Sequence, residues 1–415
     1  MRFINYVIFL DNLNPTFGKK TMIDPNQKID LLGQRSPASF MKQYWQRKPL
    51  LIRNAIPDFK PPVSFTDLKN LAKQDNVESR LIWQENNTWN MENGPFSRFP
   101  KITEPDWTLL VQSMDLHHDA LAQLMQQFRF IPDARLDDVM ISFAAMGGGV
   151  GPHFDSYDVF LLQAQGQRKW RISQQKDLSL VPDLPCKILQ NFEAEEEFVL
   201  NPGDMLYLPP HVAHDGISLS DKCMTISIGF KTPSFATLAL GLLEAAADQI
   251  NARANLGFGL YSEPVMKGPN LGGMYKDKGQ EATDTPAEIP ERMIQAALDN
   301  IAKISFNKEL ASRFLGCWLT EPNQLSVFEA SETAVYLDVE VPESGTLMLD
   351  RKTRMLYFGN EVYINGEALP VRLNPLLKTL ANQRSMPAAA IGKANEDTRE
   401  LMQQWLEDGW LHFRP

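Results

Sequence analysis

The stretch "MISFAAMGGGVGPHFDSYDVFLLQAQGQRKWRI", residues 140–172, places two metal-ligating residue types between β-prone apolar runs. His153 and Asp155 are two positions apart, directly after the glycine-rich run 147–151. In an extended strand the side chains at i and i+2 point to the same face. The stretch therefore predicts strands around a polar pair that either lines a site or has this spacing by coincidence.

Around this stretch, from about 139 to 230, short apolar runs alternate with Gly, Pro, Asp and Asn. The runs are "VMISFAAM", "DVFLLQA", "RKWRIS", "EFVL", "DMLYLP" and "CMTISIGF". Strands of this length and spacing are typical of an antiparallel sandwich or barrel. We expect a mainly β fold with α, centred on a double-stranded β-helix, the jelly roll of the cupin type.

A third ligand is expected from "NPGDMLYLPPHVAHDG", residues 201–216. Its Pro-Gly-Asp turn precedes a short strand that delivers either His211 or His214 beside the first pair. Two imidazoles and one carboxylate leave neighbouring positions open on a metal, as in the facial triad of non-haem iron(II) oxygenases. Zinc and manganese accept the same ligands and stay alternatives at this point.

Arg168 follows His153 by fifteen residues, just past Gly166, so it is expected on the neighbouring strand of the same cavity. A guanidinium there can grip a carboxylate through two parallel hydrogen bonds. The alternative is a solvated surface arginine beside Lys169 and Arg171.

Other polar groups have simpler interpretations. No Gly-Lys-Ser/Thr follows the glycine run 147–151, so the run indicates a tight backbone bend and not a phosphate loop. His117 and His118 lie in a predicted helix, where adjacent residues face different directions and cannot chelate together.

The whole chain has 415 residues, 43% of them hydrophobic, which predicts two or three domains. Its net charge of -10 argues against bulk electrostatic coating of nucleic acid, so direct nucleic-acid binding is not expected. Three cysteines are too few for a disulfide framework and fit a reducing compartment, the cytoplasm. No apolar run is long enough to cross a bilayer, so no membrane partner is expected.

Four segments are predicted. Residues 1–30 form a loose N-terminal extension, 31–232 the cupin-type domain that carries the polar pair, 233–308 a helical region and 309–415 a small α+β module that is winged-helix-like. In the helical region, "PERMIQAALDNIAKI" carries an amphipathic apolar stripe, which either packs on its own domain or meets a second copy in a homodimer. In the last module, Asn365-Gly366 is a strong tight-turn signal.

Taken together, the stretch 140–172 and the segment 201–216 resemble the JmjC-type, cupin-fold 2-oxoglutarate oxygenases, and most closely the bacterial ribosomal oxygenases. The resemblance implies His153, Asp155 and His214 as iron ligands, which demotes His211, and it places Arg168 at the distal carboxylate of 2-oxoglutarate. It also implies Fe(II), 2-oxoglutarate and O2 as cofactor and co-substrates, a helical dimerisation region and a C-terminal winged helix.

One departure concerns the co-substrate contacts. Close relatives carry a serine nine residues before the first iron ligand, whereas this chain has Ala144. Ser142, Thr225 and Ser227 are the possible replacements, and Thr225 is assigned as cofactor-binding.

Substrate contacts are expected from Tyr157 and Asp158, because a cationic side chain needs carboxylates and aromatic faces near the iron. Trp170 and Tyr207 are further candidates for a substrate channel, although aromatic residues on strands are more often part of the core.

The resemblance implies a 2-oxoglutarate- and Fe(II)-dependent dioxygenase that hydroxylates an arginine of a large-subunit ribosomal protein. The alternatives are a non-catalytic, metal-binding cupin that acts as a protein or nucleic-acid binding module, and a hydroxylase of histidine or of a small molecule.

Overall fold

The computed structural model describes residues 23–86, 88–330, 335–337 and 339–415. Most of the predicted N-terminal extension, residues 1–22, lies outside the described residues. The contacts divide the chain into two compact units, Met1–Thr232 and Pro233–Pro415.

The first unit contains three α-helices and eleven strands within its described residues. They are α1 (Pro37–Gln43), β1 (Leu50–Ile52), α2 (Phe65–Leu71), β2 (Ser79–Glu85), β3 (Thr88–Asn93), β4 (Trp107–Val111), α3 (Asp119–Gln126), β5 (Leu136–Ala144), β6 (Asp158–Gln165), β7 (Arg168–Ser173), β8 (Glu196–Leu200), β9 (Met205–Leu208), β10 (Ala213–Ser218) and β11 (Cys223–Phe230).

The strands form two antiparallel sheets. The larger has eight strands in the order β1-β9-β6-β11-β5-β4-β2-β3, and the smaller has three in the order β10-β7-β8. An apolar cluster joins residues of the two sheets, among them Leu161 and Leu206 from the larger and Trp170 and Leu200 from the smaller. This arrangement confirms the predicted jelly roll.

The main core lies on the other face of the large sheet. Phe160 and Ile228 pack there with Phe40 of α1, Leu68 of α2 and Leu121 of α3. Side chains alternate along a strand, so residues that face this core leave their neighbours in sequence facing the small sheet.

Local signals explain where the helices begin. The Ser36 side chain accepts a hydrogen bond from the Ser39 N–H at the start of α1, and Ser64 forms a capping box with Asp67 at α2. The helix predicted around the paired histidines begins only at Asp119, because the His118 ring accepts a hydrogen bond from the Ala120 N–H and caps α3.

The second unit contains five α-helices and six strands within its described residues. They are α4 (Phe235–Ala254), α5 (Glu291–Ile301), α6 (Lys308–Thr320), β12 (Thr346–Leu349), β13 (Met355–Phe358), β14 (Glu361–Ile364), β15 (Glu367–Ala368), α7 (Pro375–Gln383), β16 (Ser385–Pro387), α8 (Glu396–Glu407) and β17 (Leu411–Arg414). Its strands pair as β16-β12-β17 and β13-β14-β15.

The turn between β14 and β15 is the one that the sequence predicts. Asn365 and Gly366 both have positive φ, 45° and 92°, as a tight hairpin turn requires. Behind these strands, Leu377, Leu380, Met402 and Trp405 fill a buried core that joins α7 and α8 to the sheets.

Two helices of this unit leave apolar side chains in solvent. On α5, Met293, Ile294, Leu298 and Ile301 are all exposed, and on α4 Phe235 is 91% exposed. Among the described residues, no helix is both long and apolar enough to span a membrane.

Candidate metal centre and co-substrate pocket

Three side chains converge at one end of the jelly roll. His153 and Asp155 lie in the connection between β5 and β6, and His214 lies on β10. One ligand atom from each of the three lies within 4.8 Å of the others. The structure therefore brings together the three residues that the resemblance implies as ligands.

The backbone fixes the two histidines against each other. The His153 N–H donates to the His214 carbonyl at 2.9 Å, and the His214 N–H donates to the His153 carbonyl at 2.7 Å. This antiparallel bridge places their rings 4.2 Å apart between centroids.

Hydrogen bonds also fix how each ring points. Nδ1 of His153 lies 2.8 Å from the Gly151 carbonyl oxygen, and Nδ1 of His214 lies 3.0 Å from that of Val212. Because a carbonyl oxygen only accepts, each Nδ1 carries the hydrogen and each Nε2 keeps its lone pair for a ligand. Nε2 of His214 lies 3.7 Å from a carboxylate oxygen of Asp155.

The protonation state of His214 suits a ligand. Burial, and then the charge of His153, lowers the pKa of His214 to about 4, so the imidazole is neutral near pH 7. A neutral imidazole is the form that coordinates a metal.

His211, the other histidine that the sequence left open, is not in the cluster. It is exposed, and its φ is 66°, in the left-handed region. Its backbone N–H donates to the Asp155 carbonyl at 2.7 Å, while its ring packs beside Phe154. The main chain of His211 thus supports the site without offering its imidazole to it.

Arg168 is buried at the start of β7, with only 2% of its surface exposed. Its Nε donates to the Cys223 sulfur at 3.5 Å, and its Nη2 is buried without a hydrogen-bond partner among the described residues. The surface alternative for Arg168 is therefore wrong. A buried cation with an unused donor is costly unless an anion pairs with it, so the position fits a carboxylate ligand.

The predicted co-substrate contact at Thr225 lies near this arginine in a polar row. Thr225 pairs in register with Ser142 on β5 and with Gln163 on β6, and Ser227 shares its face of β11. The Thr225 hydroxyl donates to Oε1 of Gln163 at 3.1 Å. Direct donation from Thr225 to a co-substrate would require this hydroxyl to turn.

Ala144 faces Cys223 in the register of β5 and β11. Both residues are fully buried. The chain therefore has a methyl group on one side of this pair and a thiol on the other.

The two predicted substrate contacts have different environments. Tyr157 is 38% exposed, and burial together with the charge of Asp155 raises its pKa, which keeps the phenol protonated. Asp158 is fully buried and accepts hydrogen bonds from Tyr207 at 2.6 Å and from Gln46 at 2.9 Å. The geometry assigns Asp158 and Tyr207 to the core, so the structure does not support a substrate contact at Asp158.

Trp170 lies between the metal-ligand cluster and Arg168. Its ring lies 5.8 Å from that of His214 and 5.7 Å from the Arg168 guanidinium carbon. Gly216, opposite it on β10, makes room, because a Cβ at Gly216 would lie 2.6 Å from the indole. The sequence pattern offered Trp170 as a candidate for the substrate channel, but it did not point to Gln163 or Cys223.

Comparisons with known proteins agree with this architecture. The JmjC domain family matches residues 123–238, and the ROXA-like winged helix family matches residues 299–412. The fold and these two matches define a JmjC-type, cupin-fold oxygenase with a C-terminal winged helix.

Relatives narrow the class. The chain is 33% identical over 365 residues to the ribosomal protein uL16 3-hydroxylase of Escherichia coli, a match that covers 86% of this chain and 92% of the relative. A probable ribosomal oxygenase of Haemophilus influenzae is 28% identical over 401 residues, which cover 90% of this chain and 95% of that one. The chain belongs to the family of ribosomal oxygenases.

Solved structures of a ribosomal oxygenase also match this chain over most of its length. E. coli YcfD matches with a TM-score of 0.75 at 28% identity and covers 91% of this chain and 98% of its own. A structure of YcfD in complex with cobalt and 2-oxoglutarate matches with a TM-score of 0.72 at 27% identity and the same coverage.

Proposed function

We propose that this protein is a 2-oxoglutarate- and Fe(II)-dependent hydroxylase of a large-subunit ribosomal protein, and that it modifies an arginine side chain. The observation that carries the proposal is a His-Asp-His cluster in the same jelly roll as a buried arginine with an unpaired Nη2. The cobalt and 2-oxoglutarate complex of the E. coli relative supports the choice of co-substrate.

In this proposal His153, Asp155 and His214 hold the metal through two Nε2 atoms and a carboxylate oxygen. Arg168 pairs with the distal carboxylate of 2-oxoglutarate, which offsets the cost of burying both charges. When bound, Fe(II) and 2-oxoglutarate supply the oxidising chemistry, in which 2-oxoglutarate and O2 give succinate and CO2 while one oxygen atom enters a substrate C–H bond.

The substrate class follows from the relatives. The E. coli relative is a uL16 3-hydroxylase, which supports a ribosomal protein as substrate. Ribosomal proteins are basic, and this chain carries a net charge of -10, so long-range attraction favours the encounter. Tyr157, partly exposed and two residues from Asp155, is the proposed aromatic contact for the cationic side chain.

We also propose that the chain forms a homodimer through its helical region, residues 233–308, and that it does not bind nucleic acid directly. The four exposed apolar side chains of α5 lie at helical spacing and form a surface that a second copy can cover. The last helix, α8, begins with Glu396 and Asp397, whose charges disfavour a nucleic-acid backbone.

The test incubates ribosomal proteins, taken from cells that lack this protein, with the purified full chain, Fe(II) and 2-oxoglutarate. We expect one large-subunit protein to gain the mass of one oxygen atom, located on an arginine by fragment-ion mass spectrometry, with matching release of succinate. The Asp155→Ala variant is the control and should give neither product. Modification of a histidine would reassign the target, and no succinate from the wild-type chain with any ribosomal protein would favour the non-catalytic cupin.

A further inference from the structure

We propose that Cys223 and Gln163 are positioning residues for Arg168, and that together they set the affinity of the pocket for the distal carboxylate of 2-oxoglutarate. This inference rests on the proposed function. It concerns two side chains on different strands, Cys223 on β11 and Gln163 on β6. Among the described residues, neither side chain forms a hydrogen bond with His153, Asp155 or His214.

The contacts form a chain that ends at the guanidinium. The Thr225 hydroxyl donates to Oε1 of Gln163 at 3.1 Å, and Nε2 of Gln163 donates to the Cys223 sulfur at 3.3 Å. The same sulfur accepts from Nε of Arg168 at 3.5 Å. All four side chains are buried, with at most 2% exposed.

The orientation of the Gln163 amide is fixed from both ends. Its oxygen accepts the Thr225 proton, and its nitrogen also faces the carbonyl oxygens of Gln165 at 2.8 Å and Gly166 at 3.3 Å. An exchanged amide would place an acceptor against these two carbonyls, so the nitrogen faces the sulfur. Gln163 therefore holds the Cys223 sulfur through a hydrogen bond between the paired strands β6 and β11.

The sulfur then limits how Arg168 can point. An arginine side chain has several freely rotating bonds, and fixing its Nε removes much of that freedom before the ligand binds. With Nε on the sulfur, Nη2 is buried and has no hydrogen-bond partner among the described residues, so it is available to a ligand. Ala144, opposite Cys223, has no polar atom to replace the thiol.

Removal of the thiol should therefore weaken co-substrate binding and leave turnover intact. Cys223→Val replaces the thiol with methyl groups and leaves Nε of Arg168 buried without an acceptor. We expect the dissociation constant and KM for 2-oxoglutarate to rise about five- to tenfold, with kcat within about twofold. Cys223→Ser restores an acceptor and should recover most of the affinity.

Two controls separate positioning from a general loss of packing. Cys317→Val removes another fully buried thiol in the second unit and should change neither constant. Gln163→Met removes the amide that holds the Cys223 sulfur and should also raise the dissociation constant for 2-oxoglutarate. This variant keeps the test decisive if Cys223→Val folds poorly. In the Arg168→Met background, Cys223→Val should have no additional effect.

The measurements are 2-oxoglutarate binding to the cobalt-loaded full chain by calorimetry, and succinate release at varied 2-oxoglutarate. If the wild type binds 2-oxoglutarate and the folded Cys223→Val and Gln163→Met variants bind it with the same affinity, this inference is overturned. The proposed function would then stay intact. A wild-type chain that binds no 2-oxoglutarate would overturn both.

Discussion

His153 and His214, sixty-one positions apart in the sequence, exchange two backbone hydrogen bonds of 2.9 and 2.7 Å. The main chain, and not the imidazoles, thus holds the two ligand positions together. The rings add only their Nδ1 bonds to the carbonyls of Gly151 and Val212. Protein–protein hydrogen bonds alone therefore set the spacing and the ring orientation of the two histidines.

From this arrangement we expect ligand variants to fold and to lose the metal. His153→Ala or Asp155→Ala leaves the backbone bridge in place, so the melting temperature without metal should change little, whereas cobalt affinity should fall at least about a hundredfold. Calorimetry and metal content check this result. His211→Asn, which keeps a residue that tolerates the left-handed backbone, should bind cobalt as the wild type does.

The charge of Arg168 should govern 2-oxoglutarate affinity. Arg168→Met keeps much of the buried length but leaves the distal carboxylate without a cation, so KM for 2-oxoglutarate should rise about thirtyfold or more. Steady-state succinate release measures this change. Arg171→Met is the matched control, because Arg171 is three residues further on the same strand, faces the other side and pairs with Asp215. An equal loss in both variants would contradict the assignment.

The jelly roll and the first ligand pair were predictable because their signals are local. Apolar alternation marks strands, and the spacing of His153 and Asp155 places both on one side. The choice between His211 and His214 needed the family resemblance, since it depends on the left-handed turn at His211. No periodic pattern records that turn.

Other parts of the site depend on strand register, which local sequence does not fix. Tyr157 and Asp158 were predicted to contact one ligand, yet neighbours at a strand start point to opposite faces, and Asp158 turns into the core. Cys223 and Arg168 meet across fifty-five positions of sequence. The pairing of β11 with β5 and β6 fixes which face of the large sheet carries the thiol, and the hydrogen bond to Arg168 on β7 crosses from that face to the small sheet.

In the second unit, acid should weaken folding through Asp350. Burial alone would raise its pKa, but hydrogen bonds from His412 at 2.9 Å and from the Lys352 N–H at 2.8 Å lower the pKa below its ordinary value. A lowered carboxyl pKa stabilises the folded state above the unfolded pKa of about 4, and this contribution is lost as the pH falls through the folded pKa.

Asp350→Asn should therefore lower the free energy of unfolding by about 1 to 2 kcal/mol at pH 7. Below pH 4, the free energy of unfolding should decrease less steeply with falling pH in the variant than in the wild type. Urea unfolding followed by tryptophan fluorescence across this pH range measures both effects. Parallel curves for the wild type and the variant would exclude Asp350 as the source of the acid sensitivity.

The proposed homodimer predicts that a charge placed on the apolar face of α5 weakens association. Leu298, 55% exposed, belongs to the apolar face, so Leu298→Lys should place a charge in the dimer interface and raise the dissociation constant at least about thirtyfold. Sedimentation equilibrium measures that constant. Gln295→Lys adds the same charge beside Asp299, which Gln295 contacts at 2.7 Å, and should leave the dimer unchanged.

The three ligands belong to different sheets, since His214 is on the three-stranded sheet whereas His153 and Asp155 join two strands of the eight-stranded one. An ion held by all three would cross-link the eight-stranded sheet to the three-stranded sheet. The binding free energy of such an ion would add to that of folding, so chelation should loosen the packing of the two sheets as well as abolish the proposed activity.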